Sequence, residues 1–344
     1  MNRNEMHQDI HQREEPAIWR DSFALSDRGN LRGSNEDQFL IGVLRREMSI
    51  PQTSVDGLED AVTSPTEDGV LMVVADGVSG NGEGAYASRV VVETLGEQVA
   101  EFVPWTAGTD RRQEKNFLEW MKRALLRCAS KLRQAGVATE NRDLATTLTV
   151  ACVFWPNLYT FHLGDSRAYR LRGGKLEQLT TDHTVARKFC DRGVLNESDA
   201  DFDRFDQVLW NSVHAGVETV RPEIQYHTLE PGDGVLLCTD GLYRTVDDVA
   251  IRAAVEEEDS SHDTCQRLVK EVLLAGGLDN VTIALTRFHG VDAISAGAGG
   301  GRSSSGGVEL DLPVAQPRTE VSRASLARRT PNGSPSRSVA ESAR

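Results

Sequence analysis

No apolar run in this 344-residue chain comes near the length of a membrane span. The first twenty residues are polar and carry both signs, so no secretory signal is expected there. Positive charge is in short supply. A formal net charge of −14 argues against a nucleic-acid backbone or an anionic membrane surface as the main partner. Cysteine is sparse as well: Cys128, Cys152, Cys190, Cys238 and Cys265 are odd in number, widely spaced and without a CxxC pair. That pattern excludes a zinc cluster or a disulfide framework and predicts buried free thiols in a reducing cytoplasm. The phosphate-cradling GxxxxGK[ST] and GxGxxG spacings are both missing, and there is no internal repeat. A hydrophobic fraction of 39% supports a real core but is low enough to predict some unstructured chain.

Five dispersed acidic stations stand out against these absences. They are Asn35-Glu36-Asp37, Asp76-Gly77, Gly164-Asp165-Ser166-Arg167, Asp240-Gly241 and Asp279-Asn280. Asp76, Asp240 and Asp279 end or border short apolar runs: Val70 to Ala75, Val235 to Thr239, and Leu278 with Val281 to Ala284. A carboxylate at the end of a buried strand is costly to desolvate unless positive charge meets it. Several that converge without basic partners call for a hard divalent cation, because the donors are all oxygen. Each station alone is equally an ordinary turn, an N-cap or a solvated charged loop. Their combination carries the weight. Gly77, with Gly80, Gly82 and Gly84 close behind, lets the backbone approach an ion, so the Gly77 carbonyl is a candidate ligand. Arg32, just before the first station, can grip a phosphate through two parallel hydrogen bonds.

The chain divides into a polar leader (1–20), a folded domain (21–289) and a Gly/Ala/Ser/Arg-rich tail (290–344). Seven Arg against five acids from 291 to 344 leave the tail about +2 and the rest about −16. Such a segment cannot bury enough surface to offset its ordering entropy, and it reads as disordered; a docking or phosphorylation role is the functional alternative. Within the domain, residues 45–69 read as a long inserted loop. Strands are predicted at 22–26, 38–44, 70–75, 147–154, 158–163, 168–171, 176–179, 224–227, 235–238 and 281–286, with a hairpin turn at Arg172-Gly173-Gly174-Lys175. Helical periodicity marks 84–103, the run from Phe117 to Leu132, and two segments near 247–257 and 261–275. Strands joined by short turns, with helices in pairs, favour an α+β layered domain over a doubly wound parallel sheet.

The ordered motif set resembles the metal-dependent protein serine/threonine phosphatases of the protein phosphatase 2C-like (PPM) family, over about residues 21–288. The matching stretches are Ser26-Asp27-x-Gly29-x-x-Arg32-x-x-Asn35-Glu36-Asp37; Ala75-Asp76-Gly77 with Gly80 and Ala87-Ser88; Thr146-Thr147; Gly164-Asp165-Ser166-Arg167; Thr181-Asp182-His183-Thr184; Gly232-Asp233 leading to Cys238-Thr239-Asp240-Gly241-Leu242; and Asp279-Asn280-Val281-Thr282. The resemblance implies an α+β fold with a central antiparallel β-sandwich flanked by pairs of α-helices, in four α-β-β-α layers. It implies two Mn²⁺ or Mg²⁺ ions in a cleft at one end. Asp76 would bridge them, the Gly77 carbonyl would bind one, Asp240 and Asp279 the other, and Glu36 and Asp37 would complete the shell through water. By the same resemblance, a water acidified by both ions would attack phosphorus while Arg32 would hold the phosphoryl oxygens. Phosphorylated proteins and a cognate serine/threonine kinase or its targets are the implied partners of a cytoplasmic monomer.

Three departures qualify the resemblance. Asp76-Gly77-Val78-Ser79-Gly80-Asn81 stands where many members have Asp-Gly-Met-Gly-Gly-His, and Val78 cannot donate a proton. His183 is a general-acid candidate by residue type, against a plainer role as a hydrogen-bonded fixture. Asp165 is a possible ligand of a third metal, but its usual acidic partner is replaced by Arg244, which is expected to pair with Asp165 instead. The stretch Trp210 to Gly216 differs from the family's usual segment there; Trp210 is expected to pack on the core rather than serve as an exposed docking residue. Besides an active phosphatase, the sequence allows a catalytically weak binding module or another two-metal hydrolase.

Overall fold

A computed structural model describes residues 18–46, 66–78, 83–101, 111–199 and 201–290. Nearly all of the leader and tail, and residues 47–65 of the insertion, lie outside these. In chain order the elements are β1 (Ile18–Asp27), β2 (Asp37–Arg46), β3 (Thr66–Val78), α1 (Gly84–Glu101), α2 (Arg111–Ala138), β4 (Ala145–Thr146), β5 (Leu148–Phe154), β6 (Asn157–Leu163), β7 (Arg167–Arg172) and β8 (Lys175–Gln178). There follow α3 (Val185–Cys190), α4 (Phe202–Asp206), β9 (Val213–His214), β10 (Glu223–Thr228), β11 (Gly234–Cys238), α5 (Asp240–Tyr243), α6 (Asp248–Glu257), α7 (Ser261–Leu274) and β12 (Val281–Gly290). One expectation shifts: β2 runs on to Arg46 and β3 begins at Thr66, so strand pairing claims both ends of the predicted 45–69 loop.

One sheet has the order β1-β12-β11-β7-β8, and the other runs β10-β6-β5-β3-β4-β9 with β2 also on β3; every pairing is antiparallel. Period-two alternation explains the layering. In β3, Val70, Met72 and Val74 face the other sheet and meet Val235 and Leu237 of β11 and Ala284 of β12. Leu71, Val73 and Ala75 face the opposite way, onto Val91 and Leu95 of α1 and Met121 and Leu125 of α2. Leu236 and Cys238 of β11 and Ile283 and Leu285 of β12 turn outward onto α6 and α7. These three apolar layers are the predicted α-β-β-α arrangement. Each fully buried Val or Leu contributes roughly 1.5–3 kcal/mol, which lets the sandwich hold costly charges at its rim.

Local chemistry sets the ends of the elements. Gly173 and Gly174, at φ 53° and 72°, make the two-residue turn between β7 and β8. Ser260 caps α7 by accepting from the Asp263 amide at 3.0 Å, and Asp247 caps α6 by accepting from the Ala250 amide at 2.8 Å. All five cysteines are free thiols, as expected, and four are buried; Cys190, at the end of α3, departs from the expected burial and is partly exposed. Among the described residues, no helix is long and apolar enough to cross a membrane.

Candidate active site

All five acidic stations meet at one end of the sandwich. Arg32, Glu36, Asp76, Gly77, Asp165, Asp240 and Asp279 line a single cleft of about 370 Å³. Asp37 sits buried at its floor, directly opposite Asp76 in the β2–β3 register. Like charges facing each other across a strand pair are unfavourable, so the backbone and hydroxyl groups around them must hold the arrangement. Thr147 Oγ1 accepts from the Asp76 amide at 2.9 Å, while Thr146 Oγ1 and the Thr147 amide donate to the Asp76 carbonyl at 2.8 Å each. Thr239 and Thr282 donate their hydroxyls to Asp37 Oδ2 at 2.8 and 2.7 Å. Asn280 staples the first station in place: its Oδ1 accepts from the Glu36 amide at 2.8 Å and its Nδ2 donates to the carbonyls of Arg28 and Ser34. The threonines and Asn280 of the motif set thus have a physical role: they fix carboxylates that repel one another.

Gly77 and Gly84 pack face to face where β3 hands over to α1. A Cβ on Gly84 would collide with the Gly77 carbonyl and with Glu36 Oε2, so these two oxygens share one small space. The predicted Gly77 carbonyl ligand therefore lies beside a carboxylate. Gly29, at φ 74°, is needed for a similar reason, since a side chain there would strike the Asp279 carbonyl.

The electrostatics are those of an unsatisfied anionic site. Burial pushes the Asp76 carboxyl well above its ordinary range, and the charges of Asp37, Asp240, Asp165 and Asp279 add to it. Burial lifts Asp37 to about 7, against the two threonine hydroxyls that lower it. Asp165 is also raised to about 7 by burial and by the Asp240 charge, even with Arg244 opposing. Burial likewise raises Asp240 and Glu36. Asp37 Oδ1 and Asp240 Oδ1 are buried with no hydrogen-bond partner. A buried carboxylate oxygen left unpaired costs about 1–3 kcal/mol or more. Orphaned oxygens among converging carboxylates are the donor set a hard divalent ion requires, so the residues present fit the metal that the sequence implied.

Two guanidiniums flank the acids. Arg32 Nη2 lies 2.7 Å from Asp279 Oδ2 at the cleft mouth, where the Arg32 side chain is 54% exposed. Arg244 is a three-way junction: Nε donates to Asp240 Oδ2 at 2.8 Å, Nη1 pairs with Asp206 Oδ2 at 2.8 Å, and Nη2 reaches Asp165 Oδ2 at 3.4 Å. The expected Arg244–Asp165 pair is present, and the contacts to Asp240 and Asp206 extend it. Asp240 divides its oxygens, with Oδ2 on Arg244 and Oδ1 free. Arg167 turns elsewhere, gripping Asp182 with Nε and Nη2 and lying 3.5 Å from the centroid of the Tyr243 ring.

His183 lies outside the cleft lining. Its Nδ1 accepts from the Gly164 amide and from Asn211 at 3.2 and 3.1 Å, so its proton is on Nε2, 3.5 Å from Glu223 Oε2. This bears out the plainer role as a fixture. His162, His183 and Glu223 form a compact group of metal-ligand type that sequence reasoning missed. His162 Nε2 faces the Thr181 carbonyl at 3.1 Å and so carries a proton too. Both Nε2 atoms are thus committed as donors, and the group works as a hydrogen-bonded clamp instead of a metal site. Burial holds His162 neutral, down to about 3. For Glu223, burial acts upward, but hydrogen bonds from His183, Gln225 and the Thr181 amide outweigh it and bring the carboxyl to about 2. Trp210 corrects an expectation. It is 46% exposed and tilts over the His183 ring at 4.8 Å, with Lys188 on its own ring, because the chain here leaves the sandwich.

Comparison with known proteins gives this geometry its lineage. The family model for protein phosphatase 2C matches residues 56–275. Protein phosphatase PhpP of Streptococcus pneumoniae is 30% identical over 223 residues, spanning 65% of this chain and 87% of PhpP. Serine/threonine protein phosphatase PstP of Mycobacterium tuberculosis is 28% identical over 264 residues, 76% of this chain and 44% of PstP. The PstP catalytic domain, solved in complex with two manganese ions, superposes with a TM-score of 0.61 at 26% identity, covering 79% of this chain and all of that one. A serine/threonine phosphatase of S. agalactiae gives a TM-score of 0.62 at 25% identity, over 78% of this chain and 99% of its own. The sandwich, the acid-lined cleft at its end and the family match over most of the folded domain agree: the chain belongs to the protein phosphatase 2C family.

Proposed function

We infer that the protein is a metal-dependent serine/threonine phosphatase that removes phosphate from phosphoserine and phosphothreonine in proteins. The observation that carries this reading is the set of buried carboxylates at one end of the sandwich, two with unpartnered oxygens, beside an exposed guanidinium. Asp76 is assigned to two divalent ions, the Gly77 carbonyl to one, and Asp240 and Asp279 to the other, with Glu36 and Asp37 supporting through water. Mn²⁺ or Mg²⁺ suits all-oxygen donors, and the two manganese ions of the solved PstP domain support this count. Such ions, when bound, supply charge neutralisation and a water acidified for attack on phosphorus. The chain's own part is to hold the acids rigid through Thr146, Thr147, Thr239, Thr282 and Asn280. Arg32 presents a fork that fits phosphoryl oxygens and offsets their growing charge. Val78 lines the cleft and has no proton to give.

The catalytic unit is taken as residues 21–289, acting in the cytoplasm as a monomer opposite a serine/threonine kinase. Purified protein should release phosphate from phosphoserine and phosphothreonine peptides with Mn²⁺ and lose this with EDTA. Arg32→Ala should lower kcat/KM by about a hundredfold while leaving Mn²⁺ affinity intact or improved, since Asp279 is freed. A wild type unaffected by EDTA would sink the metal assignment.

Arg244 fills the position where a third ion would meet Asp165, and we assign it the role of that charge. Counting bound Mn²⁺ by equilibrium dialysis checks this: Arg244→Asp should gain a weak third site. No change in stoichiometry or affinity would count against the substitution.

A further inference from the structure

Residues 184–209 leave the sandwich beside the cleft and return to it. The excursion is closed at its base by the Thr184–Leu209 bridge and by the Val185 amide on the Val208 carbonyl at 2.8 Å. Gln207 and Leu209 then line the cleft together with Asp76 and Asp240. From 185 to 206, Ala186 is the one buried residue among those described. With so little apolar burial, its position depends on polar ties. Two ion pairs, Arg187–Asp191 and Arg187–Glu197, stay inside the excursion. Asp206 reaches across to the body of the domain. Its Oδ2 lies 2.8 Å from Arg244 Nη1, its carbonyl accepts from Nη2 at 3.2 Å, and its Oδ1 accepts from Thr184 Oγ1 at 3.1 Å.

We propose that the Arg244–Asp206 pair is a latch that holds the 184–209 excursion at a set height over the cleft, making Arg244 and Asp206 positioning residues for protein substrates. One guanidinium joins the cleft floor at Asp240 to the excursion at Asp206, so the wall that Gln207 and Leu209 form is fixed relative to the reacting centre. A small phosphate ester needs only the floor and Arg32. A phosphorylated polypeptide must also pass this wall, so its binding depends on the wall's position. Lysine cannot replace Arg244 here, because a single ammonium does not span three acids in one plane. The proposal rests on the phosphatase reading above.

Asp206→Asn tests the latch without touching the acids assigned to metal and keeps the side chain's shape; Asp206→Glu keeps its charge. The probes are p-nitrophenyl phosphate and a phosphothreonine peptide, both at saturating Mn²⁺. For Asp206→Asn, kcat/KM on p-nitrophenyl phosphate should stay within about twofold of wild type, while KM for the peptide rises about tenfold at nearly unchanged kcat. Amides from 185 to 205 should exchange hydrogen faster, and Asp206→Glu should recover most of the peptide KM. Equal losses on both substrates, or no change in the peptide KM, would overturn the latch while leaving the phosphatase reading standing. A wild type inactive on both substrates would instead remove the reading on which the latch rests.

Discussion

Replacing Asp76 with alanine should cut Mn²⁺-dependent hydrolysis of p-nitrophenyl phosphate by about three orders of magnitude or more, as expected when a shared metal ligand is lost. The same change should leave the metal-free protein at least as stable as wild type. Both effects follow from one geometry. The Asp76 backbone is held by Thr146 and Thr147, so removing the carboxylate does not release the end of β3. The carboxylate itself is buried among Asp37, Asp165, Asp240 and Asp279, each of which works against its ionisation. In metal-free protein its removal relieves repulsion and desolvation, whereas with metal present it removes the assigned common ligand. Activity assays with Mn²⁺, paired with thermal unfolding in EDTA, check both halves. A variant that turns over within tenfold of wild type would rule out Asp76 as the central ligand. A variant that unfolds earlier in EDTA would mean its carboxylate helps hold the fold together, contrary to the repulsion argued here.

Three of the acids that converge here, Asp76, Asp240 and Asp279, are written openly in the sequence, because each ends an apolar run or opens one, and a charge in that position needs a reason. The layers are legible in part: continuous apolar runs at 70–75 and 235–238 mark strands buried on both faces, but which side chain faces which layer is set by the pairing register. The illegible parts depend on register and on return paths. Glu223 meets His162 because β10 pairs with β6 in one alignment, and His183 joins them from a loop; nothing in the local sequence announces the clamp. The four residues of α5 are too few to show a helical period, yet this turn places Arg244 one turn beyond Asp240, on the same side of the helix. Asp206 lies in a polar stretch whose partner is 38 residues away. Trp210 defies its sequence because an exposed aromatic tilted over a histidine looks, in one dimension, like a core residue.

Metal-free protein should lose stability as pH rises from about 4 to about 7 and level off above that. Asp37 and Asp165 have folded-state values near 7 and ordinary unfolded-state values, so between these limits the folded form binds more protons than the unfolded form. Stability then falls with rising pH across the window, the reverse of the usual salt-bridged carboxylate. A carboxyl moved this far is worth on the order of 4 kcal/mol taken alone. The groups share one set of charges, so their effects do not simply add. A divalent ion should flatten the slope, because it binds the ionised carboxylates and competes with their protons. At a hundred times its dissociation constant Mn²⁺ adds about 2.7 kcal/mol, and that gain should shrink as pH drops toward 5. Urea unfolding across pH 4 to about 8, with EDTA and with Mn²⁺, measures both slopes. Parallel curves would mean that the carboxylates are not the ion's ligands. A metal-free curve rising with pH would mean that the cleft carboxylates are already paired with cations, and Arg32 and Arg244 would then neutralise the site without a metal.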